Sequence, residues 1–106
     1  MIKILVLGDV MGLSGRAALK KNLLRILNEN EIDFSVINGE NAADDGKGIT
    51  KKIAEEFFTY GIDVITSGNH IWDKEETVQF IEKESRLLRP ANLVDGSPGK
   101  GFGIYL

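Results

Sequence analysis

Three short strings in this chain put acidic, amide and imidazole groups directly after a glycine. They are Gly8-Asp9, Gly39-Glu40-Asn41 and Gly68-Asn69-His70, with glycine-to-glycine spacings of 31 and 29 residues. Two carboxylates, two amide carbonyls and one imidazole are hard or borderline donors, a set suited to a divalent cation. Crowded together without a cation, the two carboxylates would repel each other. Each residue also has an ordinary structural reading: Asp9 caps a turn or a helix, Asn41 and Asn69 are turn residues, and His70 is a hydrogen-bonded structural histidine. Glu40 is harder to dismiss because Glu is a poor turn former, and the threefold coincidence favours a site. The chain has no cysteine, which removes thiolate metal ligands, a Cys nucleophile and a disulfide framework. Any metal must bind through oxygen and nitrogen.

The elements that must position these strings follow from the apolar pattern. Ile2 to Leu7 is a nearly continuous branched apolar run, which predicts a strand buried on both faces. From Ser14 as N-cap, Leu19, Leu23, Ile26 and Leu27 form one stripe opposite Lys20, Lys21, Arg25 and Glu29, an amphipathic helix. The pattern repeats with a strand at Phe34 to Asn38 and a helix from Thr50 that buries Ile53, Ala54, Phe57 and Phe58 and stops near Gly61. A third strand is expected at Ile62 to Thr66. A capping box of Asp73 with Glu76 then opens a helix that points Val78 and Ile81 inward. Leu87 and Leu88 suggest a short strand before Pro90, Asp95 to Gly101 is turn chemistry, and Phe102 to Leu106 begins a further apolar stretch.

Threefold alternation of strand and helix predicts an α/β fold: a parallel sheet flanked by helices, with right-handed crossovers. In such a sheet the three glycine strings lie side by side on the carboxyl edge, where open α/β sheets bind their ligands. Weaker candidates surround them. Gly46, Lys47 and Gly48 hint at a phosphate loop, but the spacing does not match G-x-x-x-x-G-K-[ST], and a flexible rim loop is the expectation. A metal-free dinucleotide-binding module is disfavoured because no G-x-G-x-x-G follows the first strand. Trp72 is expected as a helix-entry anchor, and Lys20 with Lys21 as solvated surface.

With 106 residues, 13 Lys plus Arg against 16 Asp plus Glu, and a hydrophobic fraction of 42%, the chain is long enough for one core, burying roughly 65% of its extended surface. A formal net charge of -3 argues against a domain that grips nucleic acid or an anionic membrane, while leaving a small phosphate ester open. The run Ile4 to Leu7 is far shorter than the roughly 20 residues of a membrane span. A cytoplasmic protein with neither membrane attachment nor stable nucleic acid binding is expected.

The strings GDVMG, INGENAADDGKGIT, SGNHIWDK, RPANL and GSPGKG, in that order, resemble the YmdB-like family of bacterial metallophosphoesterases, and the resemblance runs from Met1 through the chain. It implies a cytoplasmic calcineurin-like phosphoesterase with two divalent metal ions, iron or manganese, that hydrolyses a small phosphodiester such as a 2',3'-cyclic nucleotide through a metal-bound hydroxide. By motif position it implies that Asp9 holds one metal, Glu40 bridges both, Asn41 completes the first site and Asn69 binds the second. His70 would protonate the leaving oxygen. GDVMG lacks the superfamily's usual His two residues after the Asp, and Glu40 stands for the usual bridging Asp; both are habits of this subfamily. The family's second half brings further His ligands in a Gly-His-x-His element, whereas His70 is the only histidine here. Residues 1–106 are therefore expected to form a single, incomplete metallophosphoesterase domain, the N-terminal half of the calcineurin-like sandwich. The alternative expectation is a catalytically incomplete module that binds metal or self-associates as a homo-oligomer through an open strand edge.

Overall fold

The computed structural model describes residues 1–106. Strand β1 (Ile4–Asp9), helix α1 (Gly12–Glu29), β2 (Phe34–Asn38), α2 (Lys51–Tyr60), β3 (Val64–Thr66) and α3 (Glu75–Ile81) follow one another in that order. The strands pair in parallel in the order β1-β2-β3, with Leu7 opposite Ile37 and Ile37 opposite Ile65. Because side chains alternate along a strand, Leu5, Leu7, Ile37 and Ile65 share one face. They pack in a single core with Leu19 and Leu23 of α1, Phe57 of α2 and Ile81 of α3.

The other face differs from the expectation for the first strand. Ile4 and Val6 are 58% and 72% exposed, so this strand is not buried on both faces. β1 is an edge strand with β2 as its only partner, and the outward members of its apolar run meet no covering layer. At the far end of that face Tyr105 packs on Phe34, with ring centroids 6.0 Å apart. The expected apolar stretch from Phe102 is otherwise irregular, with Phe102 and Ile104 exposed.

Helix α2 forms as its sequence predicts: the Thr50 hydroxyl accepts the Ile53 N–H at 3.2 Å, and Gly61 ends the helix at φ 113°, a left-handed conformation in which glycine escapes the Cβ penalty. Two other expected caps fail. Helix α1 starts after Met11, without a side-chain cap. The Gly12 N–H instead donates to the Asn41 carbonyl at 2.9 Å, so a backbone acceptor does the work expected of Ser14. Helix α3 is capped at Lys74 without a side-chain bond, because the Asp73 carboxylate is engaged by His70 at 2.7 Å.

The buried positions of α3 are Thr77 and Ile81, while Val78 stays 37% exposed. Thr77 Oγ1 donates to the Ile49 carbonyl at 2.5 Å, which satisfies a hydroxyl that would otherwise be costly to bury. β3 is also shorter than expected, since the ladder begins at Val64 although Ile62 is already buried. Beyond β3, the strand expected around Leu87 is reduced to one parallel bridge to Ile65, with Ile65 N–H to Arg86 O at 2.7 Å and Leu88 N–H to Ile65 O at 2.9 Å. No helix is long and apolar enough to cross a membrane.

Candidate metal centre

Parallel pairing brings the ends of all three strands to one edge, and each glycine string has a local reason for its shape. At the end of β1 the register slips, with Leu7 opposite Ile37 but Asp9 opposite Asn38. Gly8 is the extra residue, and a bulge of this kind re-aims the side chain that follows it. Asp9 then accepts a hydrogen bond from the Asn41 side-chain amide at 2.9 Å. The nitrogen of that amide faces Asp9, so its carbonyl oxygen and the second Asp9 oxygen stay available as acceptors.

Glu40 belongs to a second pair of strand ends. Its carboxylate accepts the His70 backbone N–H at 3.2 Å and the Asn38 amide at 3.4 Å. It lies in the space that a side chain at Gly68 would fill: a Cβ there would come within 2.7 Å of the Glu40 carboxylate carbon. Gly39 is equally constrained, because its Cβ would meet Ile65 at 2.8 Å.

His70 sits in the turn after Gly68, half-buried, with Nδ1 2.7 Å from the Asp73 carboxylate. A carboxylate can only accept, so Nδ1 carries a proton, while Nε2 makes no hydrogen bond within the chain. Asn69 is in the same turn and makes no hydrogen bond to the other candidates. The structure thus joins Asp9 to Asn41 and Glu40 to the His70 backbone, and leaves Asn69 on the rim. Trp72, half-buried, packs against the core as the expected anchor.

The donors fit a divalent cation in type. One polar atom next to them also lacks a partner: Asn38 Oδ1 is buried without a donor, on the residue whose amide reaches Glu40. In number the set is partial, because nowhere in the chain do three or more His, Asp and Glu side chains converge. Asp9, Glu40, Asn41 and Asn69 would hold part of a coordination shell, and a two-cation centre needs further ligands.

Sequence reasoning missed Asp73, which it assigned to a helix cap, and Asn38, which it took only as the end of a strand. The spacing His-x-x-Asp across a turn was the available signal for Asp73. The loop expected to be flexible follows a fastened stretch, and its Gly48 carbonyl accepts the Ala43 N–H at 3.0 Å. Arg16 Nη1 reaches the Ala42 carbonyl at 2.8 Å and Asp44 at 2.7 Å, and Lys74 Nζ reaches Asp45 at 2.7 Å. The Lys74 ammonium and the Lys47 N–H hold the Asp45 carboxyl below the usual carboxylate range.

Comparison with known proteins bears on this edge. The family model described as YmdB-like protein matches residues 5–106. A 2',3'-cyclic-nucleotide 2'-phosphodiesterase of Bacillus subtilis (strain 168) is 46% identical over 101 residues, which are 95% of this chain and 38% of that protein. The crystal structure of a phosphatase from Mycoplasma pneumoniae superposes with a TM-score of 0.86 at 32% identity, covering 98% of this chain and 39% of that one. That of a hypothetical protein from Thermus thermophilus superposes with a TM-score of 0.85 at 36% identity, covering 94% and 38%. The chain therefore spans well under half the length of each of these proteins.

Proposed function

Because the chain belongs to the YmdB-like protein family, we propose that it carries the N-terminal ligand half of a metal-dependent phosphodiesterase acting on 2',3'-cyclic nucleotides. The observation that carries this reading is the convergence of Asp9 with Asn41, and of Glu40 with the His70 backbone, on the carboxyl edge of a parallel sheet. Asp9, Glu40, Asn41 and Asn69 would hold two divalent cations, with the remaining ligands supplied by residues other than these. When bound, such cations lower the pKa of a water and neutralise charge on the phosphate.

The chain's own residues do the rest. The His70 backbone N–H and the Asn38 amide fix the Glu40 carboxylate, and Gly68 leaves room for it. Asp73 holds the His70 ring through Nδ1, and with the ring doubly protonated the Nε2–H would give its proton to the departing ribose oxygen, leaving the neutral ring with its proton on Nδ1. This is general acid catalysis by a positioned imidazole.

The test is hydrolysis of a 2',3'-cyclic nucleotide by the chain loaded with manganese, with metal content measured on the same sample. Manganese uptake that falls in Asp9→Asn and Glu40→Gln is expected, with any turnover needing metal and falling more than about 100-fold in Asp9→Asn, Glu40→Gln and His70→Ala. Turnover that survives all three substitutions, or that persists in excess chelator, overturns the reading.

A second reading has its own support. No three His, Asp and Glu side chains converge, and Ile4 and Val6 lie open on one sheet face. On this reading the chain is a catalytically incomplete module that binds metal weakly and associates with another copy. Metal uptake without turnover, together with a dimer or larger species by light scattering, would favour it over the enzyme.

A further inference from the structure

The cationic, glycine-rich C-terminal stretch plays no part in the candidate metal centre. Arg89 follows the Arg86 to Leu88 segment that runs beside β3, and the Ser67 hydroxyl donates to the Leu88 carbonyl at 2.5 Å. The Gly99 to Gly103 run lies against it, with the Arg89 N–H donating to the Lys100 carbonyl at 3.0 Å. Between the two segments is a cavity of about 550 Å³, with Arg89, Lys100, Gly101 and Gly103 in its wall.

Three features of that cavity share one chemistry. Arg89 Nη1 donates to the Pro90 carbonyl at 3.0 Å, while its Nε is buried with no acceptor. A shielded cationic donor without a partner is costly, so it calls for one. Lys100 lines the same wall and has no carboxylate within salt-bridge distance. The backbone N–H groups of Gly101 and Gly103 donate to no carbonyl of the chain. Glu84, the neighbouring carboxylate, is engaged by the Arg86 guanidinium at 3.1 Å. Tyr105 adds no negative charge: burial, with Glu84 nearby, pushes its phenol above the usual tyrosine range.

We propose that this cavity binds the oxyanion of a phosphate group, held by Arg89, Lys100 and the free N–H groups of the glycine run. On binding, the guanidinium would turn to bring Nε, buried in the free chain, and Nη2 onto the phosphate as a two-pronged donor, which gives Nε the acceptor it lacks and suits the spacing of two phosphate oxygens. Lys100 adds a point charge, and the glycines let the main chain approach closely. The site shares no residue with the candidate metal centre, so it stands or falls apart from the phosphodiesterase reading.

The test is titration of the isotope-labelled 106-residue chain, free of metal, with inorganic phosphate, followed by NMR. Saturable shifts at the amides of Gly99, Gly101 and Gly103 are expected, with acetate at equal ionic strength at least about tenfold weaker. Lys100→Gln should weaken phosphate about fivefold, and Arg89→Lys about tenfold through loss of the bidentate fork. Lys100 is exposed, so its variant keeps the fold and decides the matter even if Arg89→Lys does not. AMP binding alongside phosphate, with adenosine silent, extends the site to nucleotide phosphates, whereas phosphate without AMP restricts it to the free ion; both support the site. Shifts that never saturate, or an affinity unmoved by both substitutions, overturn it.

Discussion

A methyl group added at Gly68 would sit 2.7 Å from the carboxylate carbon of Glu40, so either that carboxylate or the β3 turn has to move. Gly68→Ala is expected to cost about 1–3 kcal/mol of stability by the overpacking mechanism, read from urea unfolding. If Glu40 holds metal as proposed, it should also weaken manganese uptake, as Glu40→Gln is expected to, because the carboxylate is displaced rather than removed. Asp45 offers a second check at this scale. Its folded-state carboxyl is held low, chiefly by Lys74, so its contribution is present above the unfolded-state value and is lost as pH falls through the lower folded value, below about pH 4. Lys74→Ala should move the Asp45 titration back toward the ordinary range, followed by carboxyl carbon NMR, with the Lys47 N–H still holding it partly low. The contacts of Asp9 with Asn41 and of Glu40 with the His70 turn lie where the repeated spacing predicts, whereas Asn69, expected with them, stays on the rim. Asp73 was not legible in this way, since an Asp before a helix reads equally as a cap until the position of the His70 ring is known.

The elements separate side-chain caps from backbone substitutes for them. Thr50 accepts the Ile53 N–H, and Thr50→Ala should lower stability by about 1 kcal/mol. Ser14 was the same prediction for α1, but that helix draws on the Asn41 carbonyl through Gly12, so Ser14→Ala should stay within about 0.5 kcal/mol of the parent. Parallel chemical melts of the two variants would tell these cases apart. The order and type of the three strands and three helices followed from periodicity and glycine punctuation. The inward face of α3 did not: its shift to Thr77 depends on the Ile49 carbonyl, which comes from a distant part of the chain.

Over the whole molecule the core is one-sided. Leu23 and Ile37 are almost wholly buried, while Val6 is 72% exposed. Leu23→Ala is expected to cost about 2–5 kcal/mol, enough to unfold a large share of a small domain. Val6→Lys should change stability by no more than about 0.5 kcal/mol and reduce association at high concentration. Circular dichroism melts and light scattering would measure both. What the sequence determined by itself is the alternation of elements, the parallel α/β class and the set of groups collected at one sheet edge, because periodicity and strand-end glycines are local properties of the chain. The tertiary structure alone decided that β1 is an edge strand with one bare face and that Glu40 rests in the space left by Gly68. Each of these depends on which groups from distant parts of the chain come within a few ångströms of one another, and no spacing along the sequence encodes that.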